Sequence, residues 1–148
     1  MKVAIAGCGN MGMAFARSFI QYDLVKKENL LLIEKSTERC ETLRKAREGL
    51  VISTINEQVA NYDLIIWAGK PQDFPSIANE LKSVIHHNQV VLSIMAGITI
   101  ERIQNDLNHK LVVRAMPNTP AMLGMGITGF TAAEGISFAK LSKIENLI

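Results

Sequence analysis

Short runs of consecutive apolar residues alternate along this chain with longer stretches in which apolar positions recur every three or four residues. The runs Lys2–Ala6, Leu30–Ile33, Val51–Ser53, Leu64–Ala68, Val90–Ile94 and Leu111–Ala115 read as strands. A strand with one solvated face alternates apolar and polar residues, whereas an unbroken apolar run marks a strand buried on both faces. The intervening stretches read as helices. One runs from Met11 to Tyr22 and carries Ala14, Phe15, Ser18 and Phe19 towards the sheet. A second is capped by Ser36 or Thr37 and runs to about Glu48. Glu57–Asn61 is a brief helical segment. Asp73 is placed as the N-cap of a third helix, which carries Pro75 in its tolerant first turn and ends near Val84. Thr99–Leu107 presents Ile100, Ile103 and Leu107 on one face, and Ser137–Leu147 presents Phe138, Leu141 and Ile144. Pro117 to Pro120 interrupts the pattern, and Ile127–Thr131 adds a further strand.

Buried strands separated by helices predict an α/β fold, a doubly wound and mostly parallel sheet of the Rossmann type. The pattern holds from one end to the other, so residues 1–148 are expected to form one NAD(P)-binding domain. The expectation of a nucleotide rests on Gly7-Cys8-Gly9-Asn10-Met11-Gly12, which follows the first strand directly and opens the first helix. In a G-x-G-x-x-G turn so placed, the first glycine permits the bend, the second admits a pyrophosphate and the third lets helix and strand pack closely.

Ligands of parallel sheets bind at the carboxyl ends of the strands. Glu34, Lys35 and Ser36 follow the second strand, Ala68-Gly69-Lys70-Pro71 the fourth and Ser93-Ile94-Met95-Ala96-Gly97 the fifth. Their small residues leave space for a ring and a sugar. Glu34 lies about 20 residues past Gly12, where an acid hydrogen-bonds the adenosine ribose of NAD. Lys35, Ser36 and Arg39 instead offer two cations and a hydroxyl to the 2′-phosphate of NADP. Both readings stay open on these residues. Cys8, at a helix N-terminus, is read as a small filler between glycines, and His86, His87 and His109 as solvated residues of polar turns.

Composition narrows the class. A net charge of +2 with scattered Lys and Arg gives no footprint for nucleic acid, and no apolar stretch approaches the ~20 residues that span a membrane. Met1-Lys2 leads straight into a strand, so no signal peptide is expected. Two cysteines without zinc-ligand spacing suggest a reducing compartment and no metal site, with the cytoplasm as the expected location.

Four segments in order, Gly7 to Gly12, Gly69-Lys70-Pro71-Gln72, Ser93 to Ile98 and Arg114-Ala115-Met116-Pro117-Asn118-Thr119-Pro120-Ala121, resemble pyrroline-5-carboxylate reductase. The resemblance runs from Lys2 to about Thr131. It implies an NADPH- or NADH-dependent oxidoreductase of proline biosynthesis, which delivers hydride to a cyclic imino acid to give L-proline. It further implies that the glycine turn holds pyrophosphate and that Ser36 and Asn56 lie near the adenosine ribose or its phosphate. Ala68, Gly69, Lys70 and Pro71, with Met95, Ala96 and Gly97, line ribose and nicotinamide, and Asn118 and Thr119 form a wall of the substrate pocket. NADP is the expected cofactor, with NAD the alternative. Departures from the family pattern fall at Gly69, often Val, at Met95, usually Ala, and at Glu34. The family's helical dimerisation domain, with its Gly-Ser-Gly-Pro turn, is expected to have no counterpart here, which leaves apolar surface open to self-association. The rival readings are a dinucleotide-binding module without catalysis and another reductase of the same fold.

Overall fold

Consecutive residues of a strand point to opposite faces of its sheet, so an all-apolar run needs cover on both sides. The computed structural model describes residues 1–118 and 126–148 and provides that cover. The described residues form seven strands, β1 (Val3–Ala6), β2 (Leu30–Ile33), β3 (Leu50–Ile52), β4 (Leu64–Trp67), β5 (Val90–Ser93), β6 (Val112–Pro117) and β7 (Thr128–Ala132). They make one sheet in the order β3-β2-β1-β4-β5-β6-β7. The first six are parallel, and β7 returns antiparallel to β6 with Ala115 opposite Phe130. β1 is central: Ile5 pairs with Leu32 on one side and Ile66 on the other. This is the Rossmann-type, doubly wound sheet that the apolar runs predict.

The helices are α1 (Asn10–Gln21), α2 (Thr37–Ala46), α3 (Phe74–Lys82), α4 (Ile100–Leu107) and α5 (Phe138–Glu145). Alternate strand residues sort into two cores. Val3, Ile5, Leu30, Leu32, Leu64 and Ile66 pack with Phe15, Ala16 and Phe19 of α1, Leu43 of α2 and Ile144 of α5. Ala4, Ala6, Leu31, Ile33, Ile65 and Trp67 pack on the other face with Phe74, Ala78 and Leu81 of α3 and Ile103 and Leu107 of α4. No helix among the described residues is long and apolar enough to cross a membrane.

Four sequence expectations need correction. The buried face of α1 is Gly12, Met13, Phe15, Ala16 and Phe19, with Ala14 and Ser18 only half-buried. Phe138 is 85% exposed, because α5 meets the sheet through Ile144 and Leu147. Asp73 does hold the N-cap position of α3 but makes no side-chain cap there; it ends a 3-10 turn, Pro71–Asp73, that runs straight into the helix. His109 is buried at 6% exposure, its Nε2 2.8 Å from the Gln89 carbonyl oxygen. Burial first, then repulsion by Lys140 and His87, pushes its pKa below the ordinary imidazole value, against the pull of that hydrogen bond. The buried Gln89 amide also donates to the carbonyls of Val59 and Tyr62 and accepts from the His86 N–H, so this edge of the sheet is pinned by polar groups. Leaving such partners unsatisfied costs about 1–3 kcal/mol each, which explains a buried amide between two turns.

Candidate functional site

The sheet reverses direction of winding between β1 and β4, and a crevice opens there at the carboxyl ends of the strands. A cleft of about 340 Å³ lies in it. Its floor is Ala6, Gly7 and Gly9 from the end of β1 and the turn beyond, with Ala68, Gly69 and Lys70 after β4.

The glycine turn is shaped by its neighbours. Gly7 has φ +96°, and a Cβ there would stand 2.5 Å from the Gly69 nitrogen. A Cβ on Gly12 would collide with the Gly7 carbonyl oxygen. Gly9 differs: nothing lies within 4 Å of where its Cβ would be. Two of the three glycines therefore let the backbone close on itself, and the third leaves space beside the cleft.

Gly9 is also the N-cap of α1, and it offers no side-chain cap; the first turn holds no acid either. By contrast α2, α4 and α5 are capped by the hydroxyls of Ser36, Thr99 and Ser137. A hydroxyl cap contributes about 0.5–2 kcal/mol, and α1 forgoes it. The Met13 N–H is satisfied by the Gly9 carbonyl, and the N–H groups of Asn10, Met11 and Gly12, at the positive end of the helix dipole, precede the first intrahelical bond. That arrangement fits an anion such as a pyrophosphate.

The loop after β2 is held by a small polar network. One Glu34 oxygen accepts the Ser36 N–H at 2.9 Å and the other lies 3.6 Å from Arg39 Nε. The Arg39 guanidinium also donates to the Cys8 carbonyl, so it ties α2 to the glycine turn. Ser36 Oγ accepts the Arg39 N–H at 3.4 Å. Lys35 reaches across the cleft to Asp73, Nζ to Oδ1 at 2.9 Å. The wall beyond is Ser53, Thr54 and Ile55 after β3, with Ser76, Ile77 and Glu80 on α3, none of which the sequence reading singled out. The charged lining balances: Lys35, Arg39 and Lys70 face Glu34, Asp73 and Glu80.

The remaining expected residues are placed as follows. Asn56 stands outside this wall; its side chain accepts the Gln58 N–H and caps the 3-10 turn Glu57–Asn61. Pro71 opens the exposed turn before α3. Met95 is buried in the second core, while Ala96 and Gly97, the latter at φ +72°, form an exposed turn after β5; none of the three lines the cleft. Asn118 continues the β6–β7 ladder, its Oδ1 accepting the Ile127 N–H at 3.0 Å. Thr119 lies outside the described residues. Among the described residues no cluster of His, Cys, Asp and Glu is arranged to hold a metal.

Cys8 is buried and donates from Sγ to the Ile33 carbonyl. Burial, reinforced by the Glu34 charge, pushes its thiol up to about 12, against the opposing pull of Arg39 and of the hydrogen bond to Ile33. Only roughly 10⁻⁴ of such a thiol is ionised at about pH 8. Iodoacetamide at that pH is expected to leave Cys8 unmodified in the folded chain and to label it in denaturant. Mass spectrometry reads the difference, and rapid labelling of native protein would contradict the assignment.

A model of the family NADP oxidoreductase, coenzyme F420-dependent, matches residues 2–97, which carry β1 to β5 and the whole cleft. The chain belongs to this family. A pyrroline-5-carboxylate reductase from Aquifex aeolicus is 34% identical over 149 residues, covering 100% of this chain and 54% of that protein. Among solved structures, a pyrroline-5-carboxylate reductase from Coxiella burnetii superposes with a TM-score of 0.89 at 24% identity, covering 99% of this chain and 54% of that one. A Plasmodium falciparum pyrroline carboxylate reductase with NADP bound gives 0.85 at 23% identity, over 99% and 53%. These last two show the fold. The chain spans about half the length of the curated relatives it matches.

Proposed function

We propose that this chain is the NAD(P)-binding half of a pyrroline-5-carboxylate reductase, holding NADP(H) in the cleft at the β1–β4 crevice, with NAD as the second choice. The observation that carries the reading is the bare N-terminus of α1 beside the open space at Gly9. In this reading the N–H groups of Asn10, Met11 and Gly12 hold the pyrophosphate, the loop Glu34–Ser36 faces the adenosine ribose, and Ser53, Thr54, Ile55 and Ile77 enclose the adenine side. Ala68, Gly69 and Lys70, with the turn Met95–Gly97, border the nicotinamide, and Asn118 and Thr119 stand towards an imino-acid substrate. The reduced nicotinamide, when bound, supplies the hydride; the protein supplies position and electrostatics. The rest of the enzyme, in the same reading, holds the substrate and buries the apolar side chains that β7 and its surroundings expose, Met116, Ile127 and Phe130, through which the isolated chain self-associates. The setting is cytoplasmic proline synthesis, with neither nucleic acid nor membrane as partner.

Calorimetric titration with NADPH and NADH tests the cofactor half of the proposal; failure of both to bind would reject it. The same titration on Glu34→Ser examines the ribose edge. Glu34 is the least exposed carboxylate in the network and holds Arg39 away from any phosphate. Its removal is expected to raise NADPH affinity more than NADH affinity, by up to about tenfold, or ~1.4 kcal/mol. A fall in NADPH affinity would mean that Glu34 does not face the ribose phosphate.

A further inference from the structure

The cleft contains as many carboxylates as cations, and two of its three cations are already engaged. Arg39 sits between Glu34 and the Cys8 carbonyl, and Glu34 is itself fixed by the Ser36 N–H, so this arrangement is braced from both ends. Lys35 is held differently. Its one partner among the described residues is Asp73, and their bond joins the loop after β2 to the turn before α3 across the cleft. The Lys35 side chain is 74% exposed. Exposed pairs of this kind are weak, so the bond opens readily when a stronger anion arrives.

Resting on the reading of the cleft as a dinucleotide site, we propose that Asp73 sets the cofactor preference by competing with the 2′-phosphate for Lys35. With NADH the Lys35–Asp73 bond persists across the cleft. With NADPH the ammonium leaves Asp73 for the phosphate, and the Asp73 carboxylate is left facing a dianion. Both effects count against NADPH and neither touches NADH. Asp73 is suited to this role because its side chain has no other hydrogen-bond partner among the described residues: it makes no cap on α3, and Pro75 in the first turn of that helix has no N–H to satisfy. It is a specificity-determining residue rather than a catalytic one.

The test is a double-mutant cycle on the full chain, with Asp73→Asn, Lys35→Met and the combination, each titrated with NADPH and NADH at fixed low salt. Asp73→Asn is expected to tighten NADPH binding about threefold to tenfold and to leave NADH binding within about twofold. In the Lys35→Met background the gain for NADPH should shrink by at least about half, because only the bare charge effect remains. Unchanged circular dichroism and an unchanged melting temperature show that the variants are folded. Equal changes for both nucleotides, or the same NADPH gain with and without Lys35, would overturn the proposal while the cleft remains a dinucleotide site. Binding of neither nucleotide to the parent chain would instead overturn the reading of the cleft, and this assignment with it.

Discussion

Replacing Gly9 with valine is expected to weaken dinucleotide binding by at least about a hundredfold, or ~2.7 kcal/mol, without unfolding the protein. The reason is geometric. Gly9 has φ −72° and ψ −166°, which any residue adopts, and no protein atom lies within 4 Å of where its Cβ would be. What it meets is the space in front of the uncapped N–H groups of α1, where a pyrophosphate would stand. Calorimetry with NADPH, alongside circular dichroism, checks both halves of the expectation. Gly7→Ala is the contrasting control, since it forces a side chain into a left-handed conformation and onto the backbone of Gly69, and so lowers the melting temperature as well. A Gly9→Val protein that binds as tightly as its parent would move the ligand away from this turn.

A polypeptide of these 148 residues alone is expected to reduce pyrroline-5-carboxylate slower than a full-length reductase by at least about a thousandfold. Hydride transfer requires the imine to be held at about 3–3.5 Å from the nicotinamide, and such positioning supplies roughly 7–11 kcal/mol of the barrier. The lining of the cleft offers an imino acid little to fix its position: Lys70 is the one cation there without an ion-pair partner among the described residues, and Asn118, outside that lining, spends its carbonyl oxygen on Ile127. The relatives are about twice as long as this chain. Following NADPH oxidation at saturating cofactor decides the matter, and turnover matching a full-length enzyme would place the whole substrate site within residues 1–148.

Strands β1, β2 and β4 were legible because each is apolar throughout, and a sheet covered on both faces accommodates Leu-Leu-Leu-Ile or Leu-Ile-Ile-Trp. The glycine turn was legible because its spacing sits between such a strand and a helix. Helix faces were harder. In α5 the sequence period accommodates Phe138 as well as Ile144, and only the position of the helix at the end of the sheet leaves Phe138 outside. His109 looked like a turn residue because it follows Asn108, whose φ of +50° closes α4; its ring nonetheless turns inward to Gln89. The wall Ser53-Thr54-Ile55 could have been found by applying the carboxyl-end rule to the third strand as well as to its neighbours. Ser76, Ile77 and Glu80 could not, since which side of α3 faces the cleft depends on how that helix docks on Trp67 and its neighbours. Likewise, no local pattern says that Lys35 meets Asp73, 38 residues further on.

The central position of β1 has a consequence for the chain as it is made. Val3–Ala6 is synthesised before any strand it pairs with: β2 begins at residue 30, and β4, its other neighbour, ends at Trp67. At roughly 5–20 residues per second, the segment waits some seconds on the ribosome before both edges of β1 can be filled. The bend at Gly7 waits as long, since the backbone it closes against, Ala68 and Gly69, comes last. The earliest-made part of the cleft is thus among the latest to acquire its native surroundings, since its contacts with Ile33, Ala68 and Gly69 are closures over long loops.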